Sequence, residues 1–257
     1  MSLIEREFFT FGCTRLWLNR PDARNSLSQG MREELIEALL LADQDSKTAV
    51  ILIQGRGGHF CAGGDLLEFS EDTPERLRER DAGKLWVALN SVRKPLIAAV
   101  HGAALGAGCE LALCADLLIA ESDAEFGQPE VGWGLIPGGG ATQRLVHRLG
   151  YPRAALMIMG GLRYTADEMG HTGLVSAVVQ SGNLDRHALE IAALLCSRSS
   201  SALELAKKCL RAAETLSLPE GLRYERSAFE SLFGTPDQRE GAQAFKERRT
   251  PQFKKNQ

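Results

Sequence analysis

None of the six cysteines in this 257-residue chain (Cys13, Cys61, Cys109, Cys114, Cys196, Cys209) stands in a CxxC pair. A chain of this length can bury enough surface to fold without disulfides or a metal, so the cysteines read as reduced thiols packed as small apolar residues, which points to a reducing, cytoplasmic setting. Histidine is scarce too: the five at 59, 101, 147, 171 and 187 show no HxxH or HExxH spacing, and no metal site is expected. Excess charge of one sign is missing. Thirty Lys and Arg against thirty-three Asp and Glu leave −3, which argues against a polyanion binder working through a large positive field. The most basic helical stretch, PERLRERDAGK (74–84), is interleaved with acids, as on a solvated helix, so no nucleic-acid partner is expected. A GxSxG nucleophile elbow is absent. The opening MSLIEREFFTFG lacks the basic region and apolar run of a signal peptide. One apolar stretch, Pro95 to Ala120, is long enough to span a bilayer, but it carries His101, Glu110 and Asp116 and is broken by Gly102, Gly106 and Gly108. A buried strand followed by a buried helix suits it better, and no membrane partner is expected.

What is present is an alternation of strand and helix patterns. Residues 3–18 read as a strand stopped by Asn19-Arg20-Pro21, and Ser26 or Ser28 caps a helix through MREELIEALLLADQD. The runs AVILIQG (49–55), LIAAV (96–100) and DLLIA (116–120) are short and continuously apolar, as in strands covered on both faces. Helical patterns occupy 74–93, 106–114, 141–149, 152–159, 165–171, 185–198, 201–214 and 219–232, with strand character around 174–179. The alternation predicts an α/β fold with parallel strands over residues 1–198. Residues 199–257 read as a helical region without its own core, whose apolar faces need the core or another subunit.

Three segments carry candidate chemistry. In GAALGAGCELALCAD (102–116) the glycine spacing is G-x-x-x-G-x-G, which is not the dinucleotide fingerprint G-x-G-x-x-G. It does offer free amides at a helix start, suited to negative charge developing on an oxygen. Glu110 stands one turn into that helix among Gly, Ala, Leu and Cys. Either it pairs with a buried Arg or faces water, or it is a carboxyl raised by desolvation and fit for proton transfer. A second acid, Glu130, lies in the turn-rich EFGQPEVGWGLIPGGG, where the two could converge on one substrate carbon. PGGGATQR (137–144) could cradle a phosphate but lacks the P-loop Lys-Ser/Thr, so a helix-entry turn is favoured. The loop GGHFCAGGDL (57–66) is either a wide turn or a second amide donor facing Gly106–Gly108. Cys61 and Cys109 have no partner base and read as packing.

Taken together, NRPDARNSL, FCAGGDL, GAALGAGCELALCAD, FGQPEVGWGLIPGGGATQRL and RTPQFKK resemble the enoyl-CoA hydratase/isomerase (crotonase) family, in order and over nearly the whole chain. The resemblance is strongest to bacterial enoyl-CoA hydratases of the 2,3-dehydroadipyl-CoA hydratase type. It implies a crotonase-like spiral of ββα units with a C-terminal helical trimerisation region, and a homotrimer or dimer of trimers. It implies a lyase acting on an acyl-CoA substrate, with no cofactor apart from the coenzyme A that belongs to the substrate. By position it assigns the two hydratase acids to Glu110 and Glu130 and the oxyanion amides to Gly64 and Ala107. Coenzyme A contacts fall on Ala23, Arg24, Ala62, Gly64, Asp65 and Leu66, with Phe245 and Arg248 from the tail. Family members that only isomerise typically keep the second acid and lose the first, so the pair favours hydration over isomerisation. A non-catalytic RNA-binding relative would want a more basic helix. Trp133 is bulkier than the aliphatic residue expected there, which bears on acyl-chain length.

Overall fold

The computed structural model describes residues 2–70, 73–80 and 83–253. The Lys254-Lys255 end of the tail motif, and residues 81 and 82 of the 74–93 helical stretch, lie outside them.

Chain segments with continuous apolar character become the interior of a six-stranded sheet. Its strands are β1 (Ile4–Phe9), β2 (Cys13–Leu18), β3 (Val50–Gly55), β4 (Leu96–Val100), β6 (Leu117–Glu121) and β9 (Ala177–Val179), in the order β1-β2-β3-β4-β6-β9. Only β1 runs antiparallel to its neighbour; every later pairing is parallel. The expected single strand over 3–18 is therefore a hairpin. Gly12, at φ 104°, closes it by donating to the Phe9 carbonyl at 2.8 Å, a left-handed turn that glycine adopts at no steric cost.

A second sheet of three short strands, β5 (Ala103–Leu105), β7 (Glu125–Gly127) and β8 (Arg163–Thr165), has β5 parallel to β7 and β7 antiparallel to β8. A large-sheet strand is followed by a small-sheet strand and then a helix: β4, β5, α5 (Ala107–Leu113), then β6, β7, α6 (Ala141–Leu149). The turn before these repeats the pattern in reduced form, since Cys61, after β3, pairs with Ala104 as a lone parallel bridge. This is the ββα spiral that the resemblance implied. None of the three short strands was anticipated from the pattern.

Helix α1 (Gln29–Gln44), capped as expected by Ser28, buries Met31, Leu35, Ala38 and Leu39 in the main core with β4, α5 and the small sheet. The other face of the large sheet is covered by α9 (Leu184–Cys196) through Leu184, Ala188 and Ala192. The helical stretch predicted over 74–93 is divided into α3 (Pro74–Glu79) and α4 (Lys84–Ser91), with α2 (Leu66–Phe69) before them. Two further helices, α7 (Tyr151–Met159) and α8 (Ala166–Met169), complete the core.

The C-terminal region holds α10 (Ser200–Ala212), α11 (Leu218–Ser231) and an unanticipated α12 (Pro236–Glu247). Helix α10 is tied down by a nearly buried ammonium: Lys207 Nζ lies 2.7 Å from Asp116 Oδ2 and donates to the Lys94 carbonyl at 2.7 Å. By contrast, α11 buries no residue and α12 only Ala244, while Leu218, Leu222, Phe229, Phe233 and Phe245 stand exposed. Among the described residues no helix is long and apolar enough to cross a membrane.

Candidate active site

The start of α5 is built by close backbone approach. Residues 61–63 run beside 103–105: Cys61 N–H donates to the Ala103 carbonyl at 3.0 Å, and Leu105 N–H donates to the Cys61 carbonyl at 3.1 Å. A Cβ on Gly108 would lie 2.0 Å from the Cys61 carbonyl oxygen, so only glycine lets the helix begin there. Gly106, at φ 50° and ψ −126°, turns the chain into the helix, and a Cβ on it would stand 2.8 Å from Glu130 Oε1. This parallel run sets Gly64 beside the α5 entrance. Ala107 opens α5, so its N–H has no acceptor within the helix. Among the described residues the Gly64 N–H also has no backbone acceptor, because the bonds of its loop run through Leu27 to the Gly63 carbonyl and Ala62 to the Arg24 carbonyl.

Glu110 is 2% exposed and has no cationic partner among the described residues. Its Oε1 instead accepts the N–H of Gly139 at 2.6 Å and of Ala141 at 3.0 Å. The PGGG turn is thus a helix-entry turn, as favoured, and its free amides grip the chain's own carboxylate rather than a phosphate. Burial raises the pKa of Glu110, and the amides of Ala141 and Gly139 work against that rise. A Cβ on Gly139 would sit 2.5 Å from the Trp86 ring and 2.8 Å from Glu110 Oε2, so Trp86, Gly139 and Glu110 form one tight wall.

Glu130 begins a short 3-10 turn over Glu130–Trp133. Desolvation lifts its carboxyl to about 7, and the charge of Glu110 adds to the rise. Two residues earlier, Gln128 is fully buried; oriented by its partners, its NH2 donates to both Glu130 oxygens at 3.2 Å. These donations favour the ionised form. Sequence reasoning missed Gln128, whose place two residues before an acid in a turn-rich loop was its one visible signal. It missed Trp86 as well, for which the helix pattern offered none.

Both acids line a single cavity of about 580 Å³, together with Ala62, Gly64, Leu66 and Ala107. Six of the expected site residues therefore meet. Ala23 and Arg24 do not line it; Arg24 adjoins it through its carbonyl, which accepts the Ala62 N–H at 3.0 Å. Asp65 is turned inward, pairing with Arg20 at 2.7 Å and capping α2 through the Leu67 N–H, so its side chain is not available to a ligand. Phe245 and Arg248 are not brought to the cavity within one chain; Phe245 is 86% exposed on α12. Cys61 and Cys109 are buried, with thiols pushed up to about 12 by desolvation, and serve as packing. Among the described residues no three His, Cys, Asp or Glu side chains cluster as metal ligands would.

A chamber with two adjacent raised carboxyl groups and main-chain N–H donors can hold a carbonyl, take a proton at one point and deliver one at another. A family profile described as enoyl-CoA hydratase/isomerase matches residues 11–256. A probable mitochondrial enoyl-CoA hydratase of Dictyostelium discoideum is 43% identical over 91% of this chain and 84% of its own length. The 2,3-dehydroadipyl-CoA hydratase of Escherichia coli is 41% identical over 93% of this chain and 94% of its own. Among solved structures, an enoyl-CoA hydratase subunit I from Geobacillus kaustophilus superposes with a TM-score of 0.95 at 39% identity, covering 99% of this chain and 98% of that one.

Proposed function

The chain belongs to the enoyl-CoA hydratase/isomerase family, and from that premise we propose that it is an enoyl-CoA hydratase, a hydro-lyase adding water across the 2,3 double bond of a 2-enoyl-CoA. The observation that carries the reading is the meeting of Glu110 and Glu130 in one cavity beside the open N–H of Ala107. In this mechanism the thioester oxygen sits between the N–H groups of Gly64 and Ala107, which stabilise the negative charge it gains; losing one such donor costs about 3 kcal/mol. Glu110, fixed by the Gly139 and Ala141 amides, orients a water and takes its proton as the oxygen attacks C3. Glu130, protonated near neutral pH by its buried setting, delivers a proton to C2. The product is a 3-hydroxyacyl-CoA. No cofactor enters beyond the coenzyme A of the substrate, which would run past Ala62 and Leu66 toward Arg24.

The assembly we propose is a homotrimer, or a pair of them, supported by the exposed apolar side chains of α11 and α12. In it Phe245 and Arg248 would cover coenzyme A in a neighbouring subunit. The six thiols, none in a disulfide, support a cytoplasmic location. Glu110→Gln and Glu130→Gln test the roles: each should lose a hundredfold or more (roughly, for one acid–base group) in crotonyl-CoA hydration while keeping wild-type circular dichroism. Near-normal turnover in either variant removes that residue from the mechanism. Conversion of a 3-enoyl-CoA to its conjugated isomer without hydration would favour the isomerase alternative.

A further inference from the structure

Of the three glycines that lead into α6, Gly139 is the crowded one. A Cβ on Gly138 would meet nothing within 4 Å, whereas one on Gly139 would lie 2.5 Å from both Cε2 and Cζ2 of Trp86 and 2.8 Å from Glu110 Oε2. Gly140 takes φ 109°, a left-handed turn that suits glycine, but Gly139 lies outside the left-handed region. Space, not backbone conformation, calls for glycine at 139, and an indole edge takes that space. The same residue gives its N–H to Glu110 Oε1 at 2.6 Å, so the ring and the carboxylate both bear on it.

Helix α4 brings the ring there. Trp86 is half-buried against the main core, with Leu85 and Leu89 buried beside it. One turn on, Asn90 Oδ1 accepts a hydrogen bond from Arg144 Nη2 at 2.7 Å, and the Arg144 N–H donates to the Gly140 carbonyl at 2.9 Å. Residues 86 and 90 share a helix face, so α4 holds the turn at both ends, by the ring at Gly139 and by Asn90 at Arg144. A run of three glycines has little stiffness of its own, yet Glu110 Oε1 needs the N–H groups of Gly139 and Ala141 in place at once. A rigid aromatic packed on the turn supplies that stiffness. With both amides on Oε1, Oε2 is the freer oxygen, and it stands on the side of Gly139 that the ring occupies.

We infer that Trp86 is a positioning residue for the hydration: its indole edge presses the Gly139 turn onto Glu110 Oε1 and leaves Oε2 as the atom that takes the proton from water. The inference rests on the hydratase reading and deepens it. A ring that served only as a wall for the acyl chain would have no need of contact with Gly139. Among the described residues, Glu130 shares the cavity with Glu110, and Cys109 and Cys114 stand on its own helix with thiols raised by burial. The cations of α6, Arg144 and Arg148, are turned to Asn90 and to the Leu113 carbonyl. Loosening the Gly139 amide therefore shows in the titration of Glu110: that amide favours the ionised form, so its loss keeps the base protonated to higher pH.

The test is crotonyl-CoA hydration, as kcat and KM across pH, by the full-length wild type, Trp86→Ala, Gly139→Ala and the double variant, with folding checked by circular dichroism. Trp86→Ala removes the ring; Gly139→Ala puts a methyl where the ring lies and pushes ring and turn apart. Each should lower kcat tenfold to a hundredfold, roughly the worth of one hydrogen bond to a charged group, and move the acid limb of the pH–rate profile to higher pH. The double variant should lose far less than the product of the two losses, because without the ring the methyl has less to displace. Trp86→Leu takes the place of Trp86→Ala in the cycle if the latter melts below the assay temperature. A limb that stays put overturns the inference. So does one that moves to lower pH, since the ring would then have served only to keep water from the carboxyl. Loss confined to KM overturns it too, as does a double variant whose loss is the full product. A wild type inactive on crotonyl-CoA and on a six-carbon 2-enoyl-CoA sinks the hydratase reading and this inference with it; an active wild type whose variants leave the limb unmoved sinks this inference alone.

Discussion

Replacing Glu130 by glutamine should make the protein more stable, and more so as pH rises. The folded carboxyl is lifted from 4.5 to about 7. A raised acid costs nothing below its unfolded pKa, where both states bind the proton. Between pH 4.5 and 7 the folded state keeps a proton that the unfolded state has lost, so stability falls as pH rises; above 7 the whole penalty is present. At 1.36 kcal/mol per pKa unit, that penalty reaches about 3 kcal/mol. The two Gln128 donations reduce it, which makes this figure an upper value. Glutamine has no charge to bury at any of these pH values, and Glu110 is common to both proteins and largely cancels. At 2–4 °C per kcal/mol for a chain of this size, the melting temperature of the variant relative to wild type should climb by up to about 10 °C between pH 4.5 and 8. Calorimetry at matched protein concentration measures it, since an oligomer melts in a concentration-dependent way. A difference between the two proteins that stays flat with pH would show that Glu130 is not held in a desolvated pocket, and the proton donor of the mechanism would go with it.

The other expectations are more local. Gln128→Leu removes both amide donors from Glu130 and should push its titration higher, moving the alkaline limb of the hydration pH–rate profile upward; an unmoved limb refutes the contact. That limb belongs to the coupled Glu110–Glu130 pair, and in wild type it should lie near pH 7 (roughly the value of the raised Glu130 carboxyl). Gly108→Ala places a methyl 2.0 Å from the Cys61 carbonyl and should cost about 3 kcal/mol in urea unfolding, far beyond its gain in helix propensity; a neutral result would mean that α5 can slide. Asp116→Ala leaves the Lys207 ammonium, 6% exposed, without its carboxylate and should destabilise by about 3–5 kcal/mol. An effect under about 1 kcal/mol would place that pair in the surface class.

How far the fold could be read depended on whether a segment's pattern reports its own burial. AVILI and LIAAV are unbroken apolar runs because both faces of β3 and β4 are covered, and α1 shows its buried stripe and its Ser28 cap; these were legible. The strands β5, β7 and β8 are three residues each, too short for any period, and exist because a neighbouring turn of the spiral supplies their partners. Helix α12 escaped because its one buried residue, Ala244, gives no stripe. The site divides along the same line. Glu110 and Glu130 stood out as acids in apolar surroundings, and the glycines at 106 and 108 announced a crowded backbone. No spacing could reveal that the second glycine turn closes on the first acid: the Gly139 and Ala141 amides reach Glu110 across about thirty residues only because α6 packs on α5. Two glycine-rich segments that look alike in sequence therefore differ in use. The turn before α5 leaves its amide open to whatever enters the cavity, while the turn before α6 has already spent its amides on holding a carboxylate still. That asymmetry is what separates a group positioned to work on a ligand from a group that positions it.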